Sequence, residues 1–173
     1  MEHLIAKAKE LGASAAVPVS VPTIKLGMWT RMKCQYGCPN YGQTLCCPPH
    51  APSAEFTRKF LADYTNSLLV QMTIPYDPED AKDWNAYDRK IHLALTDLVI
   101  GVEREAFLMN YYKAFALKAG RCRLCDTCNL KKCVHPDRAR PSAEACAADN
   151  GFDSRVLRGP VKEFKIYGLI LLD

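Results

Sequence analysis

Nine of the 173 residues are cysteine, and eight of the nine fall in two short stretches far apart in the chain. The first stretch holds Cys34, Cys38, Cys46 and Cys47, and the second holds Cys122, Cys125, Cys128 and Cys133; Cys146 stands alone beyond them. Such a count in a small secreted domain reads as a disulfide framework. Here the count is odd, and a chain of this length buries a core without covalent staples. The opening residues, Met1-Glu2-His3-Leu4, show no basic region followed by an apolar run, so a reducing cytoplasmic setting is expected. In that setting clustered thiols are expected to ligate metal.

Cys122, Cys125 and Cys128 form C-x2-C-x2-C, with Cys133 after a gap of four. Three thiolates at intervals of three let one tight loop wrap a corner of a cubane, each sulfur on a different iron. The bacterial ferredoxin run is C-x2-C-x2-C-x3-C-P. In this chain the last gap is longer, and Val134 and His135 stand between Cys133 and Pro136. The fourth ligand is therefore open, with Cys133 the first choice and Cys146 the second. Structural zinc is the alternative, but zinc sites usually draw on two separated C-x2-C pairs.

Cys34-x3-Cys38-x7-Cys46-Cys47-Pro48-Pro49 is less regular. Pro39, Gly42, Pro48 and Pro49 limit the backbone, which suits a preorganised ligand loop. Adjacent cysteines on one cluster are sterically awkward, because neighbouring side chains point apart. Either a strained turn supplies all four ligands, or one iron lacks a cysteine and is free to act as a Lewis acid. Tyr41 and His50 are close enough in sequence to support ligands, although a surface position is the plainer reading of His50. A disulfide between Cys46 and Cys47 is a third reading.

Periodicity supplies the frame. A helix is expected from Glu2 to Leu11, with Leu4, Ile5, Ala8 and Leu11 as its apolar stripe and Gly12 as its stop. Ala15 to Val21 reads as an edge strand because of Pro18 and Pro22. A loop then runs from Cys34 to Pro52. Ser53 caps a helix to about Tyr64 with Phe56, Phe60 and Leu61 inward. Ser67 to Ile74 is a buried strand. Pro78 to about Tyr111 is one long helix or two, with Trp84, Tyr87, Ile91, Leu95, Leu98 and Val102 in helical spacing. Lys113 to Lys118 and Phe164 to Leu172 are further strands, and Pro141 to Ala148 a short helix. The expected fold is α/β or α+β: a small central sheet flanked by helices, carrying two cysteine-rich loops within one domain, 1–173. Each loop is expected to follow a strand, at one edge of the sheet.

Lys118, Arg121, Arg123, Lys131, Lys132, Arg138 and Arg140 crowd the second loop. They are read either as cations that raise the potential of an anionic cluster or as a solvated face, with a docking patch for an acidic redox partner as a weaker reading. The net charge of +4 is too small to imply nucleic acid. No stretch of about 18 apolar residues exists for a membrane span. Asp77, Glu79, Asp80 and Asp83 suit a helix start, and Arg140-Pro141-Ser142 a cap or an anion site. His92, within the long helix, is expected to be packed or on the surface. There is no dinucleotide fingerprint, phosphate loop or Ser-His-Asp signature.

KCQYGCPNYGQTLCCPPHAP (Lys33 to Pro52), GRCRLCDTCNLKKCVHPDRARPSAEAC (Gly120 to Cys146) and the terminal YGLILLD resemble a family of predicted metal-binding proteins of unknown function, found mainly in anaerobic archaea and bacteria. The resemblance spans nearly the whole chain. It implies metal binding and an anaerobic setting, and supplies no reaction. The residues lead to an iron–sulfur protein with two [4Fe–4S] clusters, transferring electrons to and from a redox partner protein in the cytoplasm. The alternatives are an enzyme with an open iron site, for sulfur removal or dehydration, and a zinc-stabilised interaction module.

Overall fold

A computed structural model describes residues 1–76, 78–142, 145–146 and 163–173. The first helix, α1 (Glu2–Glu10), has Glu2 in its first turn and Lys7 and Lys9 in its last, as the helix dipole favours. It buries Leu4 and Ala8, one turn apart. Gly12, at φ +100°, turns the chain back, with its N–H on the Lys9 carbonyl and that of Ala13 on the Ala8 carbonyl. Those two bonds satisfy carbonyls that the helix end would otherwise leave open.

Four strands then build one antiparallel sheet in the order β1 (Ala15–Ser20), β3 (Asn66–Pro75), β6 (Glu163–Leu171), β4 (Phe115–Lys118). Pro18 lies on the edge strand β1, where a missing N–H costs no central ladder bond. Side chains alternate across the two central strands. Leu68, Val70 and Ile170 pack toward α1 and α4 (Trp84–Leu108), while Leu69, Leu169 and Leu171 pack with Leu61 and Tyr64 at the end of α3 (Ala54–Leu61). Burying both faces explains why β3 reads as an unbroken apolar run. Each fully buried leucine contributes about 1.5–3 kcal/mol. Asp83 caps α4 by accepting from the Ala86 N–H at 3.1 Å, and Tyr87, Ile91, Leu95, Leu98 and Val102 form its buried stripe.

The fold is α+β. The α/β alternative fails because every pairing within the four-stranded sheet is antiparallel. Several local expectations are corrected. Cys34 sits in the last turn of a helix, α2 (Met28–Gly37), which buries none of its residues, so the first cysteine stretch follows a helix rather than a strand. Phe56 and Trp84 are exposed; Ala54, Thr57 and Leu61 are the buried residues of α3. Of the expected helix from Pro141 to Ala148, Ala145–Cys146 is instead a short strand, β5, paired with β2 (Lys25–Leu26). The backbone ladder with Lys25 and Leu26 outcompetes the helical start suggested by Pro141. The rest of that segment beyond Ser142, and Asp77, lie outside the described residues.

Candidate metal centre

The second cysteine stretch begins where β4 ends. Gly120 stands at φ +72°, and a Cβ there would lie 2.1 Å from His92 Cε1. Only glycine lets the backbone pass so close to the imidazole of α4. Immediately beyond it, Arg121 and Arg123 reach from either side of Cys122 to one carboxylate, Asp88. Arg121 Nη2 donates to Asp88 Oδ2 at 3.1 Å, and Arg123 Nε donates to the same oxygen at 2.7 Å. Arg123 also donates to the carbonyl and side-chain oxygens of Asn85, and Arg121 to Asn40 Oδ1 of the first cysteine stretch. Asp88 is therefore the peg on which this loop hangs.

The other basic residues follow suit. Arg89 pairs with Asp126, Arg138 with Asp97 and Arg140 with Glu103. The Arg140–Glu103 pair is well shielded, and Glu103 Oε2 also accepts the Ala116 N–H at 2.6 Å. Most of the basic crowd is thus an ion-pair seam between the loop and α4. Lys131 and Lys132 remain on the exposed surface.

Lys118 is different. Its side chain is 1% exposed, on the α4 side of β4. Its Nζ donates to the carbonyls of Arg121, at 2.9 Å, and Ala119, at 3.4 Å. Among the described residues no carboxylate forms an ion pair with it, although Asp88 is within electrostatic reach. The groups that act on it most strongly as potential anions are the sulfurs of Cys122, Cys46 and Cys47. Burial pushes its pKa down, and those sulfurs oppose the shift.

The first stretch is a chain of turns. Cys38 N–H meets the Cys34 carbonyl at 3.2 Å, setting the two cysteines one helical turn apart. Gly42 N–H meets the Pro48 carbonyl, and the N–H groups of His50 and Ala51 converge on the Cys47 carbonyl. Arg31 holds the far end through the carbonyls of Ala51 and Pro52. The Cys46 carbonyl accepts the Ser142 N–H at 2.8 Å, which ties this loop to the chain just past the second one. His50 is exposed, as expected of a surface residue.

The two stretches meet through their thiols. Cys46 and Cys122 line the same cavity, and their proximity holds the Cys122 thiol down to about 6 while it and burial push Cys46 up. Cys47 lies within electrostatic reach of Cys38 and of the Cys122 backbone. Burial pushes Cys47 up, against Lys118 and the nearby Thr44 hydroxyl. That buried hydroxyl has no partner at hydrogen-bond geometry. Cys125 is raised by burial and by Cys122, Cys128 and Cys133 around it. A cavity of about 400 Å³ is lined by Cys46, Cys122, Cys125, Cys128 and Cys133. Among the described residues, no three His, Cys, Asp or Glu side chains form a group able to hold a metal ion. Cys146 is placed only by its backbone, opposite Lys25.

A family model described as predicted metal-binding protein, DUF2284, matches residues 18–172. The chain belongs to the DUF2284 family. No curated protein and no solved structure matches it. For this DUF2284 chain, the donor set is of soft character: five thiols line one cavity, and a buried ammonium lies within electrostatic reach of Cys46 and Cys122 among them. Two of the decisive residues escaped the sequence reading. Asp88 was detectable only as one half of an i, i+4 pair with His92, and Lys118 was one cation among seven until burial separated it from the rest.

Proposed function

We propose that the protein carries two [4Fe–4S] clusters and transfers electrons to and from a redox partner protein in an anoxic cytoplasm. The observation that carries this reading is the cavity that Cys46 of the first stretch lines together with Cys122, Cys125, Cys128 and Cys133 of the second, which brings thiols remote in sequence into one region. Clusters bound within such a region would be near neighbours, so an electron would pass between them without a further carrier. The buried cation supports an anionic occupant. A four-iron cluster held by thiolates carries net negative charge, and a nearby cation stabilises its reduced form. The cavity is also far roomier than a single zinc ion needs, with thiolates about 2.3 Å from the metal.

The test is purification under strict exclusion of oxygen, followed by iron, acid-labile sulfide and zinc analysis. Two cubanes require about eight iron and eight sulfide per chain. On reduction, the electron paramagnetic resonance spectrum should show two interacting centres without added substrate. Stoichiometric zinc in a colourless anoxic preparation would replace this reading with a zinc-stabilised interaction module.

A further inference from the structure

Helix α2 is amphipathic in the opposite sense to a core helix. At about 100° per residue, Met28, Trp29, Met32 and Tyr36 share one face, and Thr30, Arg31 and Cys34 share the opposite one. The second face is the half-buried one, where Arg31 Nη2 donates to the carbonyls of Ala51, at 3.1 Å, and Pro52, at 2.7 Å. The four large apolar residues are each more than half exposed. Gathered on one face they mark an interaction surface, as scattered ones would not. The surface is also basic. From Leu11 to Ala54 the chain has no Asp or Glu, but it carries Lys25, Arg31 and Lys33 there. Lys33 Nζ lies 4.8 Å from the centroid of the Trp29 ring, so positive charge borders the apolar face. Just before α2, Leu26 lines a groove of about 360 Å³ together with Ile24, Leu61 and Tyr64. Among the described residues its one charged lining residue is Arg58, which is exposed.

We propose that the outer face of α2, with the groove beside it, is the docking surface for a small acidic electron-carrier protein. This rests on the reading that the chain transfers electrons to and from a protein partner. Charge selects the occupant. A second copy would set the same acid-free, basic surface against itself, and like charges across an interface oppose association. An acidic partner instead meets that charge at its rim while an apolar centre covers Trp29 and Met32; Trp, Tyr, Met and Arg are the residues that interfaces concentrate. The basic residues of the second cysteine stretch are less suited to the task, because Arg121, Arg123, Arg138 and Arg140 are engaged in ion pairs with α4 carboxylates. Position agrees with charge. α2 runs directly into the first cysteine stretch, with Cys34 in its last turn, and Cys46 of that stretch lines the thiol cavity.

The experiment begins with the anoxically purified full chain. Its iron count tests the electron-carrier reading alone, since a chain lacking iron removes that reading before docking arises. The iron-loaded protein is then titrated with a small acidic ferredoxin as the probe, by calorimetry and by amide hydrogen exchange. Binding should be saturable, should protect residues 28–37 from exchange, and should weaken severalfold as salt is raised, because exposed charges are screened. Trp29→Ala should weaken it by about tenfold or more, as loss of an aromatic anchor does, and Lys33→Glu should weaken it and reduce its salt dependence. Phe107→Ala, at an equally exposed aromatic on α4, should leave binding unchanged. The proposal is overturned if the iron-loaded chain does not bind the ferredoxin, if it binds without protecting residues 28–37, or if Trp29→Ala binds as well as the unaltered chain. A dimer in sedimentation equilibrium that Trp29→Ala dissolves would give the face to a second copy, and retention on anionic phospholipid vesicles that Trp29→Ala abolishes would give it to a lipid surface; either result also overturns it. The exchange measurement needs no variant, so a substitution that disturbs folding does not shelter the proposal.

Discussion

Lys118 Nζ donates to the Arg121 carbonyl at 2.9 Å from beneath the Cys122 turn, with its side chain 1% exposed. A buried ammonium with only carbonyl partners is costly unless negative charge lies nearby. In the protein without metal, the thiols provide that charge only in part. Lys118→Met is therefore expected to stabilise the metal-free chain, because it removes a buried charge that has no ion-pair partner among the described residues. In the iron-loaded protein the same change should lower the reduction potential, because a cation favours the more negative, reduced cluster. Chemical denaturation of the metal-free protein and a redox titration of the loaded one check the two signs. A destabilised metal-free chain together with an unchanged potential would remove the role assigned to Lys118.

Asp88 should matter for a different reason. It accepts from both Arg121 and Arg123, and all three side chains are largely shielded. Removing the acid strands two guanidinium groups in place, and breaking such a pair costs about 3–5 kcal/mol. Asp88→Asn is expected to lose stability on that order and to loosen the Cys122 turn. Urea denaturation gives the first result; faster reaction of Cys122 with a thiol reagent, located by peptide mass, gives the second. The exposed pair Lys59–Glu55 is the control, where loss of the acid should change stability by less than about 1 kcal/mol.

Where periodicity met the core, the sequence was informative. The stripe Tyr87, Ile91, Leu95, Leu98, Val102 and the run in β3 declare themselves because burial selects those residue types at those spacings. α2 escaped notice because none of its residues is buried; Met28, Trp29, Met32 and Tyr36 are all exposed, so no core-facing stripe marks it. The grouping of the thiols was equally hidden. Spacing along the chain pointed to Cys133, which does line the cavity of the second stretch, but not to Cys46, which the Ser142–Cys46 backbone bond and the Arg121–Asn40 contact help bring to the same cavity. These are long-range consequences of the sheet order, which local pattern does not encode.

Gly120→Ala tests how tightly the second stretch is held against α4. The substitution meets two penalties: a positive φ of 72° and a Cβ placed 2.1 Å from His92 Cε1. A strained backbone of this kind costs about 1–3 kcal/mol, and the ring must also move. Thermal unfolding should show the loss. Gly37→Ala, at a position with nothing within 4 Å of the added carbon, should show little or a slight gain.

His92 makes the stability of the metal-free protein depend on pH. Burial holds its pKa down to about 4, from 6.5, and the Lys118, Arg121 and Arg123 cations reinforce the shift against the opposing pull of Asp88. The Nδ1 atom is buried without a partner, so no hydrogen bond rewards its protonation. A base with a depressed pKa is neutral in the folded chain while the unfolded chain already takes up a proton. The unfolded state therefore binds more protons between pH 6.5 and about 4, and stability must fall as pH falls through that window. At about 1.4 kcal/mol per pKa unit, the full effect is on the order of 3 kcal/mol. His92→Gln should flatten this part of the stability–pH curve while keeping a polar side chain over Gly120. Denaturation midpoints at several pH values, compared between the two proteins, read the difference directly. An unchanged slope in His92→Gln would assign the acid sensitivity to other groups.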